Sequence, residues 1–256
     1  MDDLLVKLNN SISRKQYIPL KISTTESEYT IKFDAPINLK EDSDYKMGLY
    51  YFDGTNGIFN ISAAKGNNVF GYFNGTNWKI TTIPNGGYEI SELNTKIQEI
   101  MKANGDYTSP STYYIEIGVD RPTLRTYIKL SNNYAIDFLA YESFRKILGF
   151  LPAVYNTQGK IYSQNAADIT DVESINITCN ITSGFYVNGK SSNLLFSYPI
   201  PVPIGYTFRI VPNTIIYLPV RVKRFNEITF KIVNEDGILI DFNGYNIRYV
   251  VLIEQV

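Results

Sequence analysis

Residues 174–198 read SINITCNITSGFYVNGKSSNLLFSY, and this stretch decides the fold class. Its first part has an apolar residue at every second position, at Ile175, Ile177, Cys179 and Ile181. Alternation with period two is typical of a β-strand that buries one face. We therefore predict strands at Ser174–Ile181 and Asn193–Tyr198.

The same alternation continues toward both ends of the chain. It begins near Tyr17 and is separated into short runs by turn-forming residues such as Asp53-Gly54. Short strands at fairly even spacing predict an all-β sandwich or barrel. Besides strands around residues 17–22, 29–33 and 45–51, the predicted strands are Val69–Phe73, Trp78–Ile83, Tyr113–Val119, Leu124–Leu130, Thr207–Val211, Ile215–Leu218, Glu227–Val233 and Ile247–Ile253.

Two short helices interrupt the strand pattern. The period changes after Pro84, where Ile90, Leu93 and Ile97 fall on one helical face. We predict a helix near residues 89–103, with Ser91 as its N-cap and a stop at Asn104-Gly105. A second short helix is predicted at Glu142–Leu148. The proline-rich motif YPIPVPIGY at 198–206 is excluded from any central strand, because proline lacks an amide donor.

The composition excludes several classes of chemistry. The chain has 256 residues, no histidine, one cysteine and a formal charge of −1. Without histidine there is no Ser-His-Asp or Cys-His nucleophile system, and the usual histidine metal ligands are missing. A single cysteine cannot form an intramolecular disulfide. The balanced charge does not favour nucleic-acid binding, and no specific nucleic-acid partner is expected.

Several residues are candidates for a catalytic or a metal-binding site. Cys179 lacks a histidine base, so we interpret it as a buried structural residue. A calcium site is one reading of Glu235, Asp236 and Asp241, but a hairpin turn at Asp236-Gly237 explains them with fewer assumptions.

Two groups of charged residues are further candidates for binding sites. We interpret Asp42-Ser43-Asp44 as a turn that leads into a strand. We interpret Arg221, Lys223 and Arg224 as a solvated strand end, and the alternative is that they contact an acidic subunit surface or a nucleic-acid phosphate. We predict no catalytic, cofactor-binding or metal-binding residues and no cofactor.

Targeting signals are not expected in this chain. The opening MDDLLVKLNNSISRKQ has two acids and no sustained apolar stretch, so it does not read as a secretory signal. No run approaches the ~18–20 apolar residues of a membrane span. The glycosylation sequons are interpreted as chance products of an Asn-rich sequence; they lie at Asn60, Asn74, Asn176 and Asn180.

The order of motifs resembles a known family. The chain carries ITCNI at 177–181, a turn that reads Pro-Ile-Gly-Tyr at 203–206, Pro-x-x-x-x-Tyr-x-Pro-Val at 212–220 and Gly-x-x-x-Asp-Phe-x-Gly at 237–244. Upstream it carries DSDYKMGLYYF, IPNGGYEI and an Asp-Phe … Leu-Gly-Phe element. Together these resemble the penton, or minor capsid, protein of Polinton/Maverick elements, virophages and adintovirus relatives. The proline-rich stretch Pro199–Pro203 departs from that pattern.

The resemblance implies a fold and an assembly. It implies an all-β single jelly-roll β-sandwich, with eight main antiparallel strands in two sheets and one or two short helices. We expect residues 1–16 to form an N-terminal arm or tail and residues 17–256 a single jelly-roll domain. The resemblance also implies a homopentamer at the vertices of an icosahedral virion, against a double-jelly-roll major capsid protein. Assembly inside the host cell, without secretion through a signal peptide, is expected.

Other functions remain open at this stage. The main alternative is a ligand- or carbohydrate-binding β-sandwich attachment module, because aromatic residues and Asn/Asp loops suit sugars. A jelly-roll enzyme of the cupin type is disfavoured by the missing histidine ligands. The remaining alternative is another kind of assembly protein, such as a transposon-derived copy used by a host.

We expect residues 1–16 to be dispensable for folding and required for stable incorporation into a shell. A short arm ties subunits together without contributing to a subunit's own core. Deleting the arm should leave the melting temperature almost unchanged and reduce incorporation. A fall of more than ~10 °C on deletion would instead place the arm in the core.

Overall fold

A computed structural model describes residues 17–108, 112–141, 143–170, 172–200 and 202–256. The expected arm over residues 1–16 lies outside the described residues. Within them the chain is mostly β-structure, with one α-helix and one short 3-10 helix. The prediction of an all-β protein is confirmed.

The elements follow one another as short strands with a single helical interruption. In chain order they are β1 (Tyr17–Thr24), β2 (Glu28–Asn38), β3 (Tyr45–Thr55), β4 (Val69–Asn74), β5 (Trp78–Thr82), α1 (Ile90–Ala103), β6 (Tyr107–Thr108), β7 (Thr112–Tyr113), β8 (Ile115–Asp120), the 3-10 helix (Arg121–Thr123), β9 (Arg125–Leu130), β10 (Tyr134–Asp137), β11 (Val154–Tyr155), β12 (Gly159–Tyr162), β13 (Ser174–Cys179), β14 (Phe185–Val187), β15 (Lys190–Ser192), β16 (Leu194–Pro199), β17 (Thr207–Ile210), β18 (Leu218–Pro219), β19 (Arg224–Val233) and β20 (Ile247–Gln255).

The chain divides into two compact units. Unit 1 is built from the chain up to Ile58 and from Val172–Val256, and unit 2 is Phe59–Asp171. Unit 2 is thus inserted in the sequence between β3 and β13. The prediction that residues 17–256 form one domain is not tested by this grouping and stays a prediction.

Unit 1 is a jelly roll. Sheet 1 has the order β1-β20-β3-β17, with β18 also paired to β3, and sheet 2 has the order β16-β13-β19-β2. All these pairs are antiparallel. Eight main strands that cross repeatedly between two four-stranded layers define the jelly-roll sandwich. The predicted fold class, eight main antiparallel strands in two sheets, is confirmed.

The core of unit 1 lies between these sheets. Ile177 of β13 is opposite Ile232 of β19, and Cys179 is opposite Phe230. All four side chains are buried, as the alternation predicted. Phe230 meets Tyr249 of sheet 1 edge-to-face, with ring centroids 5.5 Å apart. Each such fully buried side chain contributes about 1.5–3 kcal/mol, which makes the apolar layer the main source of stability.

Prolines within the sheets occur on edge strands. Pro19 lies in β1, Pro36 in β2 and Pro199 in β16, and each of these strands borders its sheet. An edge strand tolerates proline because one side of it has no partner that needs an amide donor. The exclusion of the proline-rich motif from a central strand is therefore confirmed.

The predicted strand Ile215–Leu218 is mostly wrong. Only Leu218–Pro219 pairs with β3, as β18. The residues before it cross Gly48 of β3, where a Cβ atom would lie 2.4 Å from Cγ2 of Ile215. The missing side chain at Gly48 lets this segment cover the sheet face instead of extending the sheet.

The loops of unit 1 form two groups, each joined by hydrogen bonds. In the first group Asn56 Nδ2 donates to the Val202 carbonyl (2.8 Å), and Asn243 Nδ2 donates to the Gly57 carbonyl (2.7 Å). In the second group the Ser183 amide donates to the Pro219 carbonyl (3.2 Å). The chain leaves unit 1 after Ile58 and re-enters it at Val172.

Unit 2 combines two main sheets with the helix. Their orders are β11-β10-β4-β5 and β12-β9-β8, and α1 packs on β8. The predicted helix is confirmed, but its N-cap is Glu89 rather than Ser91. A capping box explains this, since the Glu92 side chain accepts the Glu89 amide while the Glu89 side chain accepts the Glu92 amide.

The predicted second helix at 142–148 is wrong. Residues 143–149 form successive turns, and residue 142 lies outside the described residues. Gly149 ends the turns at φ +77°, where a Cβ atom would lie 2.4 Å from the Asn165 carbonyl oxygen. The turns deliver Phe144 and Phe150 to Phe138 in the core of unit 2, with centroids 5.7 and 5.8 Å away.

We expect Gly149→Ala to lower the free energy of unfolding by more than about 2 kcal/mol, because backbone strain and a backbone clash act together. Gly159→Ala is the matched control. Gly159 also has positive φ (+97°), but nothing lies within 4 Å of its Cβ position. Urea unfolding of both variants measures the difference, and equal losses would show that the close approach at Gly149 is unimportant.

Candidate interaction surfaces

Cys179, Glu235 and Asp241 have structural roles. Cys179 lies in the core of unit 1, and burial raises the pKa of its thiol to about 12. Glu235 Oε2 accepts the amides of Glu173 and Ser174, both at 3.2 Å. Asp241 Oδ1 accepts the Asn243 amide at 2.7 Å. Asp241 thus shapes a local turn and Glu235 holds the start of β13, and the described residues contain no cluster of three or more potential metal ligands.

The turn at Asp236-Gly237 is formed as predicted. Asn234 Oδ1 accepts the amides of Asp236 (3.1 Å) and Ile238 (2.9 Å), and Gly237 adopts φ +80°. The turn exposes Ile238, which is 62% accessible. The Asn234 side chain therefore holds the turn that exposes this apolar loop tip.

The turn at Asp42-Ser43-Asp44 is confirmed and meets the basic group. Lys223 Nζ donates to the Ser43 carbonyl and lies 5.4 Å from the centroid of the Tyr45 ring. Lys223 thus holds a loop of unit 1, whereas Arg221 and Arg224 are exposed.

Asp106 organises the main buried polar network of unit 2. Its carboxylate accepts hydrogen bonds from Tyr72 Oη (2.6 Å), Lys79 Nζ (2.7 Å) and Asn74 Nδ2 (3.0 Å). Burial opposes ionisation, but these hydrogen bonds outweigh it and lower the pKa of Asp106 below its ordinary value. Burial together with Asp106 raises the pKa of Tyr72. The network joins the β4–β5 hairpin to the segment after α1 and leaves no group poised for acid–base chemistry.

The four sequons show different degrees of engagement. Asn60 is 3% exposed, its amide donates to two backbone carbonyls, and its carbonyl oxygen accepts the Tyr88 amide. Asn74 caps the hairpin turn and reaches Asp106. Asn180 accepts the Thr229 amide, and Asn176 donates to Ser174. Asn60 and Asn74 in particular act as structural residues.

The apolar residues of β5 face outward, whereas the alternation of apolar and polar residues predicts that they face the core. Lys79 points toward Asp106, so Trp78 and Ile80 lie on the opposite face, 51% and 64% exposed. On that face Trp78 pairs with Phe73, and their ring centroids are 5.6 Å apart. Sequence alternation found the strand but not its orientation, because the buried partner of Lys79 lies 27 residues away.

A recess lies beside this exposed tryptophan. It has a volume of about 360 Å³. We call it the Trp78 recess, and it is lined by Phe73, Trp78, Asn133, Ala135, Val154, Asn156 and Gln158.

Unit 1 exposes apolar side chains on its loops. The β14–β15 hairpin carries Tyr186 and Val187, 68% and 43% exposed. Tyr206, between β16 and β17, is 64% exposed. Exposed aromatic and apolar side chains on loops are candidate contacts with other subunits.

One face of sheet 1 carries a charged row. Arg209, Asp53 and Arg248 are cross-strand neighbours on β17, β3 and β20. Arg248 Nε donates to Asp53 Oδ1 at 2.8 Å, and Arg209 lies 5.4 Å from the centroid of the Tyr51 ring. With two arginines and one aspartate, the row carries a net charge of +1, which suits an acidic partner surface.

The comparisons with known proteins give one match of interest. No protein-family model matches the chain, and no curated protein matches it. One solved structure that matches is the crystal structure of a selenomethionine-labelled mavirus penton protein. It is 12% identical, with a TM-score of 0.49, and the match covers 94% of this chain and 100% of that chain. No helix within the described ranges combines the length and apolar character that a membrane crossing needs.

We expect Asp106→Asn to lower the free energy of unfolding by about 1–3 kcal/mol at neutral pH, because charged hydrogen bonds are lost while Lys79 is only partly screened by water. The folded-state pKa of Asp106 lies below its ordinary value of 3.8. The stabilisation is therefore present above that value and is lost as the pH falls through the lowered pKa.

Urea unfolding at neutral pH and near pH 3 tests this expectation, since the gap between the two proteins should narrow in acid. Glu99→Gln is the control, because Glu99 forms an exposed ion pair with Lys96. A gap that does not depend on pH would show that ionised Asp106 adds no stability.

Proposed function

We propose that this chain is a non-catalytic capsid protein that forms the five-fold vertices of an icosahedral particle. The strand order of unit 1 carries the proposal, because it is that of a jelly roll and the chain carries motifs resembling penton proteins in the same order. Fold alone does not define function. The proposal therefore rests on both observations together.

The C-terminal resembling motifs fall in strands and connections of the jelly roll. ITCNI lies in and just after β13, the second strand of sheet 2. The Tyr-x-Pro motif ends at Pro219 in β18, and the Gly237–Gly244 motif lies in the connection from β19 to β20. The motif IPNGGYEI and the Asp-Phe … Leu-Gly-Phe element lie in unit 2 instead.

A ring of five copies requires two different contact surfaces on each subunit. Cyclic contacts are heterologous, and only a closing rotation gives a finite ring. Permanent interfaces of this kind bury about 2,000 Å² or more and are rich in aromatic residues. Tyr206, 64% exposed between β16 and β17, supplies such an aromatic residue to one of these surfaces.

We assign contacts with the surrounding major capsid protein to the second group of loops. This group contains the β14–β15 hairpin, with exposed Tyr186 and Val187, and the exposed Arg221. The chain connects to unit 2 at Ile58 and Val172. Exposed apolar side chains on the β14–β15 hairpin are the reason for this assignment.

The proposal predicts density for this chain at the five-fold vertices when it is expressed together with the major capsid protein of the same particle. The double variant Tyr186→Ser, Val187→Ser should reduce vertex occupancy at least about tenfold, equivalent to 1.4 kcal/mol. Because both side chains are exposed, the free energy of unfolding should change by less than about 0.5 kcal/mol. A particle map and unfolding curves measure the two effects.

Tyr162→Ser is the matched control, since Tyr162 is an exposed tyrosine of unit 2, 46% accessible. It should leave occupancy unchanged. Density at three-fold or quasi-six-fold positions, with empty vertices, would overturn the vertex role. Vertex density that the double variant does not reduce would retain the role and reject the assigned hairpin contact.

A further inference from the structure

The Trp78 recess has the features of a ligand site. Trp78 is the only tryptophan of the chain and is half exposed, although its large apolar ring gains free energy when buried. It lies in a recess of about 360 Å³, within the range of about 300–1,000 Å³ found for small-ligand sites. Exposed apolar surface inside a recess indicates that something covers it.

We propose that the Trp78 recess binds a neutral saccharide. A sugar ring presents C–H groups on its face and hydroxyl groups around its edge. The indole and the Phe73 ring offer an apolar platform for the face. Amide side chains at the margin of the recess can hydrogen-bond the hydroxyls.

Two of these amides are available for a ligand. The side chains of Asn133 and Asn156 line the recess and make no hydrogen bond within the described ranges of the chain. Each side-chain amide can donate two hydrogen bonds and accept others. This inventory matches vicinal hydroxyl groups, which both donate and accept.

The recess is held in place before any ligand arrives. Gln158 Oε1 accepts the Asn133 amide at 3.1 Å, and Gln158 Nε2 donates to the carbonyls of Tyr134 (3.2 Å) and Asn156 (3.1 Å). Asn133 itself adopts φ +62°. Gln158 thus fixes both backbone segments that present the free amides, which lowers the entropy cost of binding.

The charge of the recess indicates an uncharged ligand. Its lining residues within the described chain are apolar or carry amides, and none is ionisable. Nearby Asp137 uses Oδ1 to accept the amides of Leu139 (2.8 Å) and Ala140 (2.9 Å). Sialylated or sulfated glycans would find no cation there, so neutral hexoses and N-acetylhexosamines are favoured.

Because Trp78 is the only tryptophan, the tryptophan fluorescence of the isolated full-length chain reports on the recess. Titration with neutral oligosaccharides of galactose, glucose, mannose or N-acetylglucosamine should change the fluorescence of Trp78 saturably for at least one sugar, with a millimolar or lower Kd. Calorimetric titration of the variants follows with that sugar. Trp78→Ala should weaken binding at least tenfold and Asn156→Ala several-fold, while Trp78→Phe should retain part of the affinity.

Tyr162→Ala removes an exposed aromatic ring outside the recess lining and should leave the affinity unchanged. Far-UV circular dichroism of each variant separates loss of binding from loss of folding. The inference is overturned if no neutral sugar binds the folded chain, or if Trp78→Ala and Tyr162→Ala behave alike. It is also overturned if Trp78 responds to a purified capsid protein and to no saccharide. Failure of this site leaves the vertex role untouched, because that role is tested on particles.

Discussion

The apolar layer between sheets 1 and 2 is the interaction on which unit 1 depends. It requires that strands distant in sequence present alternate residues to one interior, as Ile177 and Ile232 do from neighbouring strands. The Phe230–Tyr249 ring contact joins the two sheets directly. Because the sandwich has two sheets, the chain must cross between them repeatedly, and the crossings collect the loops into two groups. Unit 2 and the exposed β14–β15 hairpin are inserted in loops between the strands of the sandwich, where insertions do not disturb the apolar layer.

Strands with one buried face were the most predictable part of the molecule. In β13 each apolar residue faces the core, so a period of two was sufficient to place the strand and its interior residues. The spacing of Ile90, Leu93 and Ile97 was likewise sufficient to predict helix α1. Its N-cap was harder to predict, because Ser91 is a preferred N-cap residue type and Glu89 is not. Only the reciprocal bonds of Glu89 and Glu92 decide between them.

What the sequence could not reveal depends on partners distant in the chain. Lys79 turns inward because Asp106 receives it, and the same rotation exposes Trp78. The residues before β18 have apolar character but cross Gly48 rather than pair as a strand. The exposed face of β5 therefore lies where local patterning and tertiary structure disagree, which is where a requirement other than stability is expected to act.

The pairing of β1 with β20 has a consequence for biosynthesis. Tyr17 is opposite Glu254, so two strands that lie far apart in the sequence are neighbours in the finished sheet. Strand β20 also separates β1 from β3, and neither can pair with that neighbour until β20 has been synthesised. A nascent chain that has reached β19 exposes unpaired strand edges, which are templates for aggregation. Pairings of such high contact order also fold slowly. The growing chain therefore exposes aggregation-prone strand edges in the interval between the synthesis of β3 and that of β20.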